Sequence, residues 1–332
     1  MIQKGYGCAF GGGTIINAIA AWKGCAYAVD MKTYAEVCLN DEHSSRSIRG
    51  EIYENPDINA DLIEICVQSV LDQFDCHRNA TVLTKSSIPV AGGLKSSSAA
   101  ANASVIAALD ALDENLEPEE IVKLGVSAAK EAGVTITGAY DDACASFYGG
   151  VAVTDNKETA LLQREKFDFD VLILNPNVKT FSAQTNVVRS RLMKDLAEAA
   201  FEMALGGDYK KAMKLNGLIY CGALGFNPEP AVLCMELGEQ FGIVCGLSGT
   251  GPSFTALLPK AEELTKEESA ELQIIREKIK AGWGAQFSDG RIYETKTCNR
   301  NSLDESCLFS RYMKDGQHSL KELNINGLTF SE

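Results

Sequence analysis

The sequence has only three histidines, His43, His77 and His318. That excludes a His-rich metal site and leaves little scope for a histidine general base. The 11 cysteines are odd in number, scattered from Cys8 to Cys307 and free of any CxxC pair. Neither a disulfide framework nor a zinc site is expected from them. Free cysteine packs as a small apolar residue, and a reducing cytoplasm is the simple expectation. Basic residues are also in short supply: 31 Lys and Arg face 45 Asp and Glu, a net charge of −14. Such a surface repels nucleic acid and anionic membrane, so neither is expected as a partner. It repels a phosphorylated ligand too, unless amides, Lys or a metal reverse the field locally. No apolar run reaches the roughly 18–20 residues that span a bilayer. No secretory leader is expected, because Lys4 is followed by a glycine-rich stretch rather than an apolar one.

What is present suffices for a folded protein. Hydrophobic residues make up 45% of the 332, enough for a sizeable core, and the length suits two domains. Gly11-Gly12-Gly13 followed by Thr14-Ile15-Ile16-Asn17 suggests a tight loop leading into a buried element. Helices are expected over 57–74, from about 96 to Leu112, from Pro118 to a stop at Gly133, and through most of 180–240. Ala99, Ala103, Ile106 and Leu109 would form the buried face of the second. Strands are expected at 81–85, 151–153, 171–174, 254–258 and 291–293. The mixture gives an α+β fold with a seam near 155–175 and no internal repeat. Residues 297–332 are polar, and the expectation for them is a weakly ordered or peripheral tail.

The most informative segment is Pro89-Val90-Ala91-Gly92-Gly93-Leu94-Lys95-Ser96-Ser97-Ser98-Ala99-Ala100. It joins a strand to a helix that begins in small residues. Glycines let the backbone approach a ligand closely, and a helix N-terminus offers free N–H groups and partial positive charge. Together they make an anion site suited to a triphosphate. Serine hydroxyls there can cap the helix or ligate Mg²⁺. A Walker loop it is not, since Leu94 stands where that motif needs Gly before Lys.

The string resembles the phosphate motif P-x-x-x-G-L-G-S-S-A-A of the GHMP kinase superfamily, with Lys95 in place of a usual Gly and Ser98 in place of a usual Ala. The Gly-Leu-Lys-Ser-Ser-Ser-Ala form is similar to the archaeal-type shikimate kinases of that superfamily. Three further segments agree in order: Gly13–Ala20, Thr137–Ser146 and Gly246–Ser253. The resemblance covers roughly residues 1–296. It implies a two-domain fold, with a ribosomal protein S5 domain 2-like ATP-binding domain over 1–160 and a ferredoxin-like domain over 161–296. It implies phosphorylation of shikimate with ATP and Mg²⁺. Homoserine or mevalonate as acceptor, or a non-catalytic ligand-binding relative, are the alternatives, and a homo-oligomer stays open. Asn186 stands where homoserine kinases carry an Arg, which disfavours homoserine.

By that resemblance Asp141 is the base that accepts the substrate hydroxyl proton, and the cradle for ATP runs through Pro89, Ala91, Gly92, Gly93, Leu94, Lys95, Ser96, Ser97, Ser98 and Ala99. Glu131 is the candidate Mg²⁺ ligand. It closes its helix, where the dipole disfavours an anion by roughly 0.3–1 kcal/mol unless a cation faces it. Ser97 or Ser96 would complete the metal shell. Ser248, Gly249, Thr250 and Gly251 would close over the reacting groups with backbone donors, and Lys95 could neutralise phosphate charge. Thr14 and Asn17 are expected to bind substrate or fix the loop. A carboxylate-bearing acceptor needs a cation, for which Lys179, Arg189 and Arg191 are candidates. A serine hydrolase is disfavoured, because the G-x-S-x-G elbow around Ser248 is incomplete.

Overall fold

Short residues let an alanine-rich helix lie directly on a long hairpin, and that contact organises the N-terminal half. The computed structural model describes residues 3–40, 47–89, 91–176, 185–328 and 330. Among them, β1 (Gln3–Ile16), β2 (Lys23–Asn40), β3 (Ile48–Ile52), β4 (Asn79–Ser86), β5 (Val151–Asp155) and β6 (Ala160–Glu165) form the first sheet. Long β2 is its hub, pairing antiparallel with β1, β4 and β5, while β3 joins β4 in parallel. One face is covered by α1 (Asp61–Gln73), α2 (Ser96–Leu112), α3 (Pro118–Glu131) and α4 (Tyr140–Tyr148).

The face expected for α2 is buried, and burial extends around it to Ala101, Asn102, Ser104 and Val105. It is packed by the sheet on one side and by α1, α3 and α4 on the others. A Cβ at Gly5 or Gly7 would overlap backbone atoms of α2, so only glycine allows strand and helix this close. Gly11–Gly13 are likewise strand residues of β1, paired with Val29, Ala28 and Tyr27, and not the tight loop expected from their sequence. The expected helix limits hold well: Pro118 opens α3, and Gly133 follows its end with φ +68°.

The second sheet comes from β7 (Asp170–Asn175), then α5 (Val187–Arg191), α6 (Lys194–Leu205), α7 (Tyr209–Leu224) and α8 (Glu229–Leu237), then β8 (Val244–Leu247), β9 (Phe254–Leu258), α9 (Lys266–Gln286) and β10 (Arg291–Lys296). Its spatial order is β10-β7-β9-β8, antiparallel throughout, which is the ferredoxin-like split arrangement. Because β6 pairs with β5, the first sheet runs past the boundary expected at 160, and the change of sheet falls between Glu165 and Asp170.

The C-terminal segment is not the weakly ordered tail that its polarity suggests. It forms α10 (Ser302–Gly316), which packs on β1. Phe309, Met313, Leu320 and Ile325 are buried with Tyr6, Cys8 and Tyr34 in a core of their own. Glu305 pairs with buried Lys32, and Arg300 bridges Glu305 and Asp30 at 2.7 Å each. Lys85 Nζ donates to the carbonyls of Lys321 and Leu323 at 2.9 and 2.8 Å. The exposed face of α10 supplies the polarity that hid this core from the sequence. Among the described residues no helix is long and apolar enough to cross a membrane.

Candidate active site

Two hollows meet at the loop before α2. The larger, of about 370 Å³, lies within the roughly 300–1,000 Å³ usual for small-molecule sites. Its walls are apolar at Ile52, Ile58, Leu62 and Ile63, and Ala91, Ser96 and Ser97 of the loop and helix close one end. The smaller, of about 50 Å³, lies against Lys95 and is lined by more polar than apolar residues. Thr14, Asn17, Thr137, Asp141, Asp142, Gly249 and Thr250 are among its lining residues. The loop thus turns its serines toward one hollow and its lysine toward the other.

Unusual backbone conformation shapes the loop. Ala91 and Lys95 are left-handed at φ +56° and +65°, and Ala139 before α4 is left-handed at +49°. Such conformations are costly for residues with a Cβ and persist where surrounding structure imposes them. Gly93, at φ +77°, lies so close to the Ser248 carbonyl that a side chain would not fit. Ser248 Oγ donates to Gly93 O at 2.8 Å, and Ser253 N–H donates to Gly92 O at 3.3 Å. The Gly246–Ser253 segment therefore clamps the loop before α2. At the mouth of α2 the first intrahelical bond runs from Ala99 N–H to Lys95 O, leaving the amides of Ser96, Ser97 and Ser98 without intrahelical acceptors. Free amides, a helix dipole and adjoining hydroxyls fit a polyphosphate.

Asp141 occupies the first turn of α4 and is only 3% exposed. Asn156, just past β5, donates from Nδ2 to Asp141 Oδ1 at 2.8 Å and accepts the Asp141 N–H at 3.2 Å. Thr154 Oγ1 donates to Asn156 Oδ1 at 2.7 Å and so fixes the amide's orientation. Burial, then the neighbouring Asp142 carboxylate, push the Asp141 pKa up to about 7. Lys95 and the Asn156 hydrogen bond pull it down without cancelling that rise. A carboxylate so placed is about half ionised at neutral pH, and its ionised form is basic enough to take a proton.

Gly24 of β2 packs against this carboxylate, and a Cβ there would overlap its carbon. Gly24→Ala is expected to push Asp141 aside and lower kcat by roughly 10–100-fold. The affinity for a ligand in the larger hollow should stay put, because Gly24 does not line it. Steady-state kinetics check this, and a kcat within about twofold of the parent's would refute it.

The remaining expected site residues divide. Thr14 Oγ1 accepts from Lys95 Nζ and from Gly249 N–H, the latter at 2.8 Å. Asn17 donates to Gly249 O at 2.8 Å and accepts from Ile19 N–H, so its side chain fixes loops as well as lining the pocket. Gly249 and Thr250 line the pocket, whereas Ser248 clamps the loop and the Gly251 amide turns back to Ser248 O. Arg189 is exposed on α5, donates to Gly222 O at 3.2 Å and does not line either hollow. Arg191 is exposed as well. Lys179 and Val90 lie outside the described residues. Glu131 is exposed at the end of α3, and Gly133 and Val134, just beyond it, line the larger hollow. No group of three or more His, Cys, Asp or Glu among the described residues could hold a metal alone. An ion there would rest on phosphates plus the hard oxygens of Ser97 and Glu131, a donor set that suits Mg²⁺. Sequence reasoning missed Asn156, whose position in a short turn carries no signal. It also missed Asn216 and Tyr220 of α7, which bond the backbone at Asn17 and Ala20.

Residues 61–150 match the family model described as GHMP kinases N terminal domain. A shikimate kinase of Methanosarcina acetivorans is 52% identical over 303 residues, covering 91% of this chain and 97% of that protein. The chain belongs to the shikimate kinases of the GHMP family. A more distant shikimate kinase, from Halobacterium salinarum, is 43% identical over 74% of this GHMP kinase and 85% of its own length. Solved structures add the fold alone. Lactococcus lactis galactokinase complexed with galactose has a TM-score of 0.64 at 13% identity, covering 89% of this chain and 93% of its own. L. major mevalonate kinase in complex with R-mevalonate has a TM-score of 0.63 at 14% identity, over 88% and 95%.

Proposed function

We propose that this chain transfers the γ-phosphoryl group of ATP to the 3-hydroxyl of shikimate, giving 3-phosphoshikimate on the way to chorismate. The observation that carries the proposal is the position of buried Asp141, across the phosphate loop from the larger hollow. The larger hollow takes the nucleoside, and the amides at the start of α2 hold its phosphates. Ser97 and Glu131 would hold Mg²⁺ against them. When bound, the ion neutralises charge on the β- and γ-phosphates. The acceptor occupies the smaller hollow among Thr14, Asn17, Asp141, Gly249 and Thr250. At about 50 Å³ that hollow admits water-sized groups, so a ring-sized acid enters with some widening.

The acceptor hydroxyl gives its proton to Asp141 as its oxygen bonds to the γ-phosphorus. The bond from that phosphorus to the bridging oxygen breaks, and the electron pair leaves with ADP. Asn156 and Thr154 hold the carboxylate in place for this, and the 11 free thiols are those of a chain at home in a reducing cytoplasm.

An acceptor screen tests the assignment. Release of ADP in a coupled assay should depend on shikimate, with homoserine and mevalonate at background. Turnover with either of those and none with shikimate would overturn it. With Asp141 as base, kcat/KM for the acceptor should rise with pH, reach half its plateau near 7 and level off above about 8, since only the ionised carboxylate accepts the proton. A flat profile from pH 5.5 to 8 would assign that proton elsewhere.

A further inference from the structure

Lys95 is the residue in the phosphate loop that chemistry singles out. Its φ of +65° is one that glycine adopts freely and lysine does not. The side chain is nevertheless almost wholly buried, 4% exposed, in the smaller hollow. There its ammonium donates to Thr14 Oγ1 and pairs with Asp142 Oδ1 at 2.6 Å. An ammonium has three N–H bonds; one goes to Thr14, and the contact with Asp142 Oδ1 is an ion pair without hydrogen-bond geometry, so donors are left for a ligand. Lys95 is the one cation among the described residues lining this hollow, where Asp141 and Asp142 are both acidic. A phosphoryl group moving from the serine side of the loop toward an acceptor oxygen beside Asp141 comes up to this residue. Without a cation there it would meet two carboxylates.

We propose that the Lys95 ammonium, held at rest between Thr14 and Asp142, binds the γ-phosphoryl group of the nucleotide and carries its charge during transfer. This rests on the kinase reading above. Asp142 is then a positioning residue, the resting counter-ion that keeps the ammonium aimed into the hollow. The left-handed backbone at Lys95 places its amide group in the loop and its side chain in the acceptor hollow at once.

The decisive variant is Lys95→Gly, because it removes the cation while suiting the backbone better. Calorimetry on the full chain would compare Mg·AMP-PNP with Mg·ADP, alongside thermal melting and shikimate kinetics. The wild type should bind Mg·AMP-PNP more tightly than Mg·ADP. In Lys95→Gly the AMP-PNP affinity should fall roughly tenfold or more, with ADP affinity held within about threefold. The turnover number should drop roughly 10²–10³-fold. Equal loss for both nucleotides would make Lys95 a shaping residue of the loop and overturn the proposal, as would unchanged affinities with kcat within about threefold. Lys95→Met, which keeps the bulk of the side chain, should reproduce the selective loss if the glycine variant misfolds, and retention of AMP-PNP preference in it overturns the proposal equally. If the wild type binds nucleotide but does not phosphorylate shikimate, the acceptor assignment fails separately, and the comparison of nucleotides still decides Lys95.

Discussion

Replacing Asp141 with Asn is expected to lower kcat by roughly 10²–10⁴-fold and, in the same protein, to raise the melting temperature. The loss follows from removing the proton acceptor while preserving shape, since the Asn carbonyl still accepts from Asn156. The gain follows from linkage. Folding raises the Asp141 pKa from an ordinary carboxylate value near 4 to about 7, so the folded chain binds that proton more tightly than the unfolded one. Between those values the group's contribution to stability falls as pH rises, and above about 7 the whole penalty is present. Asn carries no charge and escapes it. The stabilisation should therefore be larger at pH 8 than at pH 5, which differential scanning calorimetry at the two values would read. A variant with unchanged kcat, or one destabilised at pH 8, would contradict this account. A carboxylate kept at a cost to stability is what a catalytic group in a buried pocket is expected to be.

Removing residues 297–332 should abolish folding rather than trim a loose end. Phe309, Met313, Leu320 and Ile325 are lost from a core that includes Tyr6 and Tyr34. Each such side chain is worth roughly 1.5–3 kcal/mol of burial. Lys32, 5% exposed, loses Glu305, and breaking a buried pair in this way costs roughly 3–5 kcal/mol. Together these rival the roughly 5–15 kcal/mol by which domains are stable at all. Circular dichroism and a thermal melt would check it. The truncated chain should be insoluble or lack a cooperative transition, and a melt within about 5 °C of the full chain would refute the claim. The milder Phe309→Ala, at roughly 3–5 kcal/mol, should leave a folded protein with a lowered melting point.

The phosphate loop was legible in the sequence because its constraints are local. Glycines, a helix start and serines all act within a dozen residues of one another. The short, fully buried run of β9 and the periodic stripe of α3 were legible for the same reason. Gly11–Gly13 misled because glycine serves equally in a turn and in a strand that something must approach closely. Here the carbonyl and ring of Tyr27 lie against Gly12 and Gly13. The terminal segment misled because its core partners, Tyr6, Cys8 and Tyr34, are nearly the whole chain away. Asn156 and Gly24 escaped notice for a related reason. Each matters only through Asp141, and nothing in a short polar turn or a lone strand glycine announces that contact. Arg189 is a candidate by its charge and its place after the 171–174 strand, and the fold gives that guanidinium a carbonyl on α7 instead.

The most direct measurement is a crystal structure of the full chain with Mg·AMP-PNP and shikimate. The account predicts the nucleoside in the hollow beside Ile52 and Leu62, with its phosphates at the first turn of α2. It places the 3-hydroxyl of shikimate about 2.6–3.2 Å from an Asp141 carboxylate oxygen. A complex in which the phosphates sit away from the Ala91–Ser97 loop, or in which Asp141 faces no acceptor hydroxyl, would contradict it.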